Sequence, residues 1–249
     1  MLPRPTSTAD LRFFDPRAVI DQGTNRLPHW RQTGVACFVT FRLADSVPQE
    51  LLHTWATERR SWLSRNPPPH TVEQDREHDE LFTAKIDDWL DQGTGSCALR
   101  DPTTRQALID TLIHFEGSRY ECHAWIVMPN HVHLLFSPLA EHTVESLVRS
   151  WKGISARRAN QIHRRSGAFW MKDYFDRLIR DADHFWRCVR YIRRNPEKAK
   201  LPAGDYALYA ALFVRDHLNA EAGSQRIGGT PAAGSSEEQG RRQECRRSV

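Results

Sequence analysis

Two histidines separated by one valine, His131-Val132-His133, stand in a run rich in β-branched and aromatic residues. Side chains of a strand alternate between its faces, so both imidazoles fall on one face and Val132 on the other. Two neutral imidazoles so placed can share one metal ion; two histidines on an exposed strand face can equally hold nothing. Later in the chain Tyr191 and Asn195 lie four residues apart in a segment of helical periodicity, which puts them on one helix face about one turn from each other. Taken singly, a helical tyrosine is most simply a packing residue, and Asn195 before Pro196 a helix terminator.

The surroundings of these residues narrow the choice. The run His123-Ala-Trp-Ile-Val-Met-Pro-Asn-His-Val-His-Leu-Leu-Phe resembles the histidine-hydrophobic-histidine motif of the HUH endonucleases. Within it, Met128-Pro-Asn-His-Val-His-Leu is similar to the signature of REP-associated tyrosine transposases and of the single-tyrosine transposases of small insertion sequences. Val189-Arg-Tyr-Ile-Arg-Arg-Asn-Pro-Glu-Lys-Ala is similar to that family's tyrosine helix, and Asp176-Arg-Leu-Ile-Arg180 to the segment preceding it. The resemblance spans about residues 30–201. It implies an α+β fold of the HUH, ferredoxin- or RRM-like kind, with a central antiparallel sheet flanked by helices. It implies Tyr191 as the nucleophile, and His131, His133 and Asn195 as ligands of a divalent ion, Mg2+ or Mn2+; imidazoles suit manganese better, whereas magnesium is abundant. The implied reaction cuts and rejoins single-stranded DNA beside a hairpin through a 5′-phosphotyrosine that releases a 3′-hydroxyl. Tyr174 ranks second as nucleophile, and Tyr120, Tyr206 and Tyr209 read as packing residues.

Charge distribution fits an anionic partner. The formal net charge is only +4, but residues 149–195 hold thirteen Lys and Arg against four Asp, interleaved with Trp151, Phe169, Trp170, Tyr174, Phe175, Phe185 and Trp186. Cations among aromatic rings suit phosphate pairing and base stacking, and Arg149, Lys152, Lys172, Arg177, Arg193 and Arg194 are the candidate DNA contacts. Solvated helix faces around core aromatics would produce the same composition. No apolar run is long enough to span a bilayer, so no membrane partner is expected. The five cysteines are scattered without a C-x-x-C pair, which suggests neither a disulfide framework nor a zinc ribbon and fits a reducing cytoplasm. Whether a homodimer completes the site is left open.

The elements that must position these residues can be outlined. Residues 1–29 read as an irregular lead-in, 35–43 as a first strand, and 48–65 as a helix ended by Asn66-Pro-Pro-Pro. Residues 66–100 read as an insertion with a helical pattern around 81–90. A helix over 104–115 precedes strands over 120–127 and 131–136, joined by Met128-Pro129-Asn130. A long amphipathic helix follows over 143–163, then an extended segment over 169–179, then a last helix capped by Asp181 or Asp183 and stopping at Asn195-Pro196. Residues 202–221 read as an extension and 222–249, poor in large apolar side chains, as a disordered tail. Two other readings stay beside the transposase: a hairpin-binding module that no longer cuts, and a zinc hydrolase using Cys122 or His123 with the histidine pair.

Overall fold

The computed structural model describes residues 4–18, 21–24, 28–67, 71–139 and 141–227. Residues 1–215 form one compact unit and residues 216–249 a second. The first is built on a five-stranded antiparallel sheet in the order β6-β3-β5-β4-β7. Its strands are β3 (Cys37–Arg42), β4 (Tyr120–Val127), β5 (His131–Pro138), β6 (Phe175–Leu178) and β7 (Ala207–Ala210). The α+β class expected from the resemblance is the one found. Strand β5, which carries both histidines, lies at the centre of the sheet, paired on one side with β3 and on the other with β4.

One face of the sheet holds the main apolar core. Val39, Phe41, Val132, Leu134, Phe136 and Val127 point to it, covered by α4 (Pro102–Phe115) and α5 (Val144–Ile162) through Leu108, Leu112, Leu147, Val148 and Trp151. Trp151 is wholly buried, edge-on to Tyr120 and Phe136 at ring distances of 4.9 and 5.1 Å. Local sequence fixes both helix starts. Asp101 accepts from the Thr104 amide at 2.8 Å just before Pro102, and Thr143 accepts from the Ser146 amide at 3.2 Å.

The other face carries the histidines under α6 (Ala182–Lys198), with α1 (Gln49–Arg65) and α3 (Ala84–Asp91) on the same side as Phe175, and α2 (Val72–His78) meets their cluster through His78, which lies against Trp62 and Phe82. Asp181 starts α6 by accepting from the His184 amide at 2.6 Å. Phe185, Val189 and Ile192 form its buried stripe. The helix does not stop at Asn195-Pro196 as expected but runs on to Lys198. A proline removes its own amide donor and crowds the carbonyl one turn back, yet here the last turn still closes: the Ala199 amide reaches the Asn195 carbonyl at 3.0 Å and the Leu201 amide the Pro196 carbonyl at 2.9 Å.

Three further expectations are revised. The lead-in is not wholly irregular, because β1 (Asp21–Thr24) pairs with β2 (Pro28–Arg31) as a separate two-stranded sheet. The main sheet extends beyond residue 201, since β7 pairs with β4; four residues of mixed pattern are too few to announce a strand. The tail expected to be disordered from residue 222 is helical to Ile227 in α7 (Leu212–Ile227), and 228–249 lie outside the described residues. The four cysteines among the described residues are free and buried, and no helix of the described residues is long and apolar enough to cross a membrane.

A β-bulge between Cys122 and Ala124 breaks the alternation of β4 and turns His123 toward α6. His123 is buried against Phe185 and Phe213 and bonded to Ser137 Oγ at 2.8 Å. Burial pulls its imidazole down to about 3. It is therefore neutral when folded and protonates readily only when unfolded, so its share of stability is full above about pH 6.5 and is lost as pH falls toward 3. Between pH 7.5 and 5 that share is about 2 kcal/mol. Urea unfolding at the two pH values should show a drop smaller by about this amount in His123→Gln than in the wild type; equal drops would mean that the ring is not held neutral.

Candidate active site

Directly paired residues of antiparallel strands share a face. The register sets Phe38, Thr40 and Arg42 of β3 opposite Leu135, His133 and His131 of β5, and Arg177 of β6 opposite Phe38. Both histidines are buried. Phe38 stacks on the His133 ring at 5.5 Å and meets Tyr191 edge-on at 5.9 Å, lining the space between strand and helix.

Each imidazole is anchored by its outer nitrogen. Asn130 donates its Nδ2 hydrogens to the carbonyls of Leu90 and Thr94 at 3.1 and 3.2 Å, which leaves its Oδ1 to accept. His131 Nδ1 lies 2.8 Å from that oxygen, so His131 carries its proton on Nδ1 and turns the Nε2 lone pair inward. His133 Nδ1 lies 2.7 Å from Thr40 Oγ1. The two Nε2 atoms face each other at 3.0 Å, a spacing at which a lone pair needs a proton or a cation opposite it. Burial, followed by the positive charge of Lys198, pulls His131 down to about 3. Burial, then His131 and Lys198, hold His133 far below the usual imidazole range. Both rings are neutral near pH 7, the state in which imidazole binds metal.

Helix α6 brings Tyr191 and Asn195 to the same place. The Tyr191 hydroxyl lies 3.3 Å from His133 Nε2. Burial raises its phenol well above the usual range, the Asp87 and Asp91 carboxylates add to that, and Asn195 acts in the opposite sense. Asn195 is buried one turn further along, near the phenol, yet neither its Oδ1 nor its Nδ2 has a partner within hydrogen-bonding geometry. A buried amide without partners is costly and uncommon. Two inward imidazole nitrogens and an unsatisfied amide oxygen fit a divalent ion with open positions. Among the described residues no three His, Cys, Asp or Glu side chains are grouped to hold a metal, so an ion here would need the amide as well.

The rival residues lie elsewhere. Tyr174 is buried in the core beneath α5, and Cys122 belongs to that same core; His123 is bonded to Ser137. The expected DNA contacts are spread over several elements. Lys172, Arg193 and Arg194 are exposed, and Arg177 stands on the histidine face at β6. Arg149 pairs with Glu145 on the surface at 2.8 Å. Lys152 is turned inward: its ammonium donates to the carbonyls of Met171 and Lys172 at 2.6 and 2.7 Å, and burial brings it down to about 8. Thr40, Phe38, Asp87 and Lys198 escaped the sequence reading because their relation to the site depends on strand register and helix packing. Asn130 lay within the recognised motif, and its side chain beside the first histidine was the available signal.

A buried imidazole pair on the central strand thus faces a tyrosine and an amide on one helix. The resemblance to single-tyrosine transposases is borne out over the segment that holds these parts: residues 106–195 match the family model described as "Transposase IS200 like". No curated protein matches the chain. Among solved structures it is similar to a REP-associated tyrosine transposase bound to a REP hairpin, at 17% identity over 69% of this chain and 74% of that one, TM-score 0.37. It is also similar to a protein from Deinococcus radiodurans R1 described as a transposase, at 15% identity over 73% of this chain and 97% of that one, TM-score 0.28.

The anchor of His133 can be tested without touching either imidazole. Removing the hydroxyl in Thr40→Val should weaken Mn2+ binding about 10- to 100-fold, the usual effect of losing a residue that orients a ligand. Isothermal titration with MnCl2 measures it; unchanged affinity would show that Thr40 does not orient the ring.

Proposed function

We propose that the chain cleaves and rejoins single-stranded DNA beside a hairpin, with Tyr191 as nucleophile and a 5′-phosphotyrosine as the intermediate. The observation that carries this reading is the Tyr191 hydroxyl 3.3 Å from one of two buried, neutral, facing imidazoles.

A phosphodiester is anionic and resists attack, so cleavage needs charge neutralisation at the phosphate and a nucleophile held in place. A divalent ion held by His131, His133 and Asn195 would supply the first by drawing charge from the phosphate oxygens. The protein supplies the second. Helix α6 is fixed by its buried stripe, and Phe38 lies against both the His133 and the Tyr191 rings. As the Tyr191 oxygen bonds to phosphorus, the bond to the 3′ oxygen breaks and a 3′-hydroxyl leaves. The new linkage is again a phosphodiester, so a 3′-hydroxyl from another strand can reverse the step without an energy source. Arg177, on the same face, and exposed Lys172, Arg193 and Arg194 provide positive charge for the DNA backbone. The hairpin preference follows from the motif resemblance.

The test is a denaturing gel of the protein with 3′-labelled single-stranded oligonucleotides copied from hairpins flanking its gene, in Mn2+. A labelled band at the protein's mass, absent in Tyr191→Phe, is expected. Oligonucleotide binding without any adduct would favour a binding module instead. His133→Ala should abolish the adduct while most hairpin binding survives; an equal loss of both would mean that the histidine serves the fold.

A further inference from the structure

Along β3 the residues Phe38, Thr40 and Arg42 lie on the histidine face. The last of them is out of keeping with its place. Arg42 is only 4% exposed, yet its side chain makes a single neutral hydrogen bond, from Nη1 to Ser46 Oγ at 3.1 Å. Ser46 gives its own proton to the Leu43 carbonyl at 2.8 Å. Among the described residues Arg42 has no other side-chain hydrogen bond and no ion pair. A guanidinium carries five N–H donors and stays charged at neutral pH. Burying it with most of them unused is costly, and an apolar side chain would serve the fold better. The acidic residues nearby do not relieve it. Asp45 is turned to the Ser96 amide at 2.9 Å, and Asp173 acts only from beyond ion-pairing distance.

Other positive charge gathers around Arg42. The Met171 amide binds the Arg42 carbonyl at 2.9 Å, and the carbonyls of Met171 and Lys172 hold the Lys152 ammonium. Lys172 itself is exposed. Just after Ser46, α1 opens with no side chain capping its first turn, and its free amides add partial positive charge to the same turn. The strand register sets Arg42 directly opposite His131, a pairing that holds the two Cβ atoms about 5 Å apart. We infer that Arg42 binds a backbone phosphate of the DNA strand, next to the phosphate held at the histidine pair. The inference rests on single-stranded DNA being the substrate. Phosphate oxygens can take two parallel N–H bonds from one guanidinium, so this ligand would engage the donors the fold leaves unused. Arg42 then fixes how the strand lies across the site and takes no part in the bond changes.

Binding of a labelled hairpin oligonucleotide to the full chain, followed by fluorescence anisotropy over a KCl series in EDTA, tests this apart from cleavage. Arg42→Met should weaken binding about tenfold, the usual effect of losing a charge-assisted hydrogen bond. It should also flatten the slope of log K against log[KCl] by about 0.7, the share of one single-strand phosphate. Arg42→Lys, which keeps the charge, should keep the slope. Without DNA, Arg42→Met should melt no lower than the wild type, because it removes a buried charge that no carboxylate pairs. A single methylphosphonate moved along the unpaired strand should cost the wild type about tenfold at one position, and that loss should not add to the loss from Arg42→Met. An unchanged slope in Arg42→Met, a markedly lower melting temperature, or fully additive losses would overturn the assignment. Failure of the wild type to bind the oligonucleotide would overturn the DNA reading itself, and this assignment with it.

Discussion

Two neutral imidazoles are buried side by side on the central strand of the sheet, and the rest of the site is arranged around that constraint. Burying a polar ring is tolerable only when its nitrogens have partners. The outer nitrogens have theirs in Asn130 and Thr40. The inner ones face only each other and the tyrosine. A strand at the edge would leave one flank to water, but β5 has β3 on one side to supply Thr40 and the turn from β4 to supply Asn130. The sheet order thus fixes the ring orientations, and these fix where a third and a fourth group must come from.

Both come from one helix because helical spacing suits the task. Residues four apart lie on one face about one turn from each other, so α6 delivers a hydroxyl and an amide together once its apolar stripe is seated. The late proline matters here. A helix broken before Asn195 would leave that side chain free to find solvent, whereas continuation to Lys198 keeps it buried and carries an ammonium across to α3. The insertion is tied to the histidine face by the same asparagine that orients the first histidine, so the position of α3 and the tautomer of His131 are coupled through one side chain.

What could be read beforehand was whatever depends on local period. The strand alternation placed His131 and His133 together, the helix period placed Tyr191 with Asn195, and of the two caps suggested for the last helix Asp181 is the one found. What depends on register or on long-range packing was not legible. Thr40 meets His133 only because β3 pairs with β5 in one particular register, and Lys198 meets Asp88 and Asp91 only because an insertion folds against the end of α6. Strand β7 was missed because four residues carry too little pattern to separate a strand from a loop. The charge count of 149–195 was read correctly as a sum but not residue by residue, since the ammonium of Lys152 binds backbone carbonyls.

That last distinction bears on how much of the site serves stability. Lys152 and the ion pairs of Lys198 are charges with protein partners, as expected where the fold is the beneficiary. Asn195 is the reverse: a buried amide that touches the Tyr191 phenol but whose two polar atoms lack a well-formed hydrogen bond, which a merely structural role would not favour, because an apolar side chain of similar size would avoid the desolvation cost. Protein folds retain such unfavourable groups chiefly where a function needs them. Beside it stand two imidazole nitrogens facing each other and a phenol that burial keeps from ionising, each also poorly satisfied by the protein alone. Deficits of this kind scattered over a molecule would be ordinary packing faults, but here they converge on one point between β5 and α6, and a cation with an anionic ligand would satisfy them together.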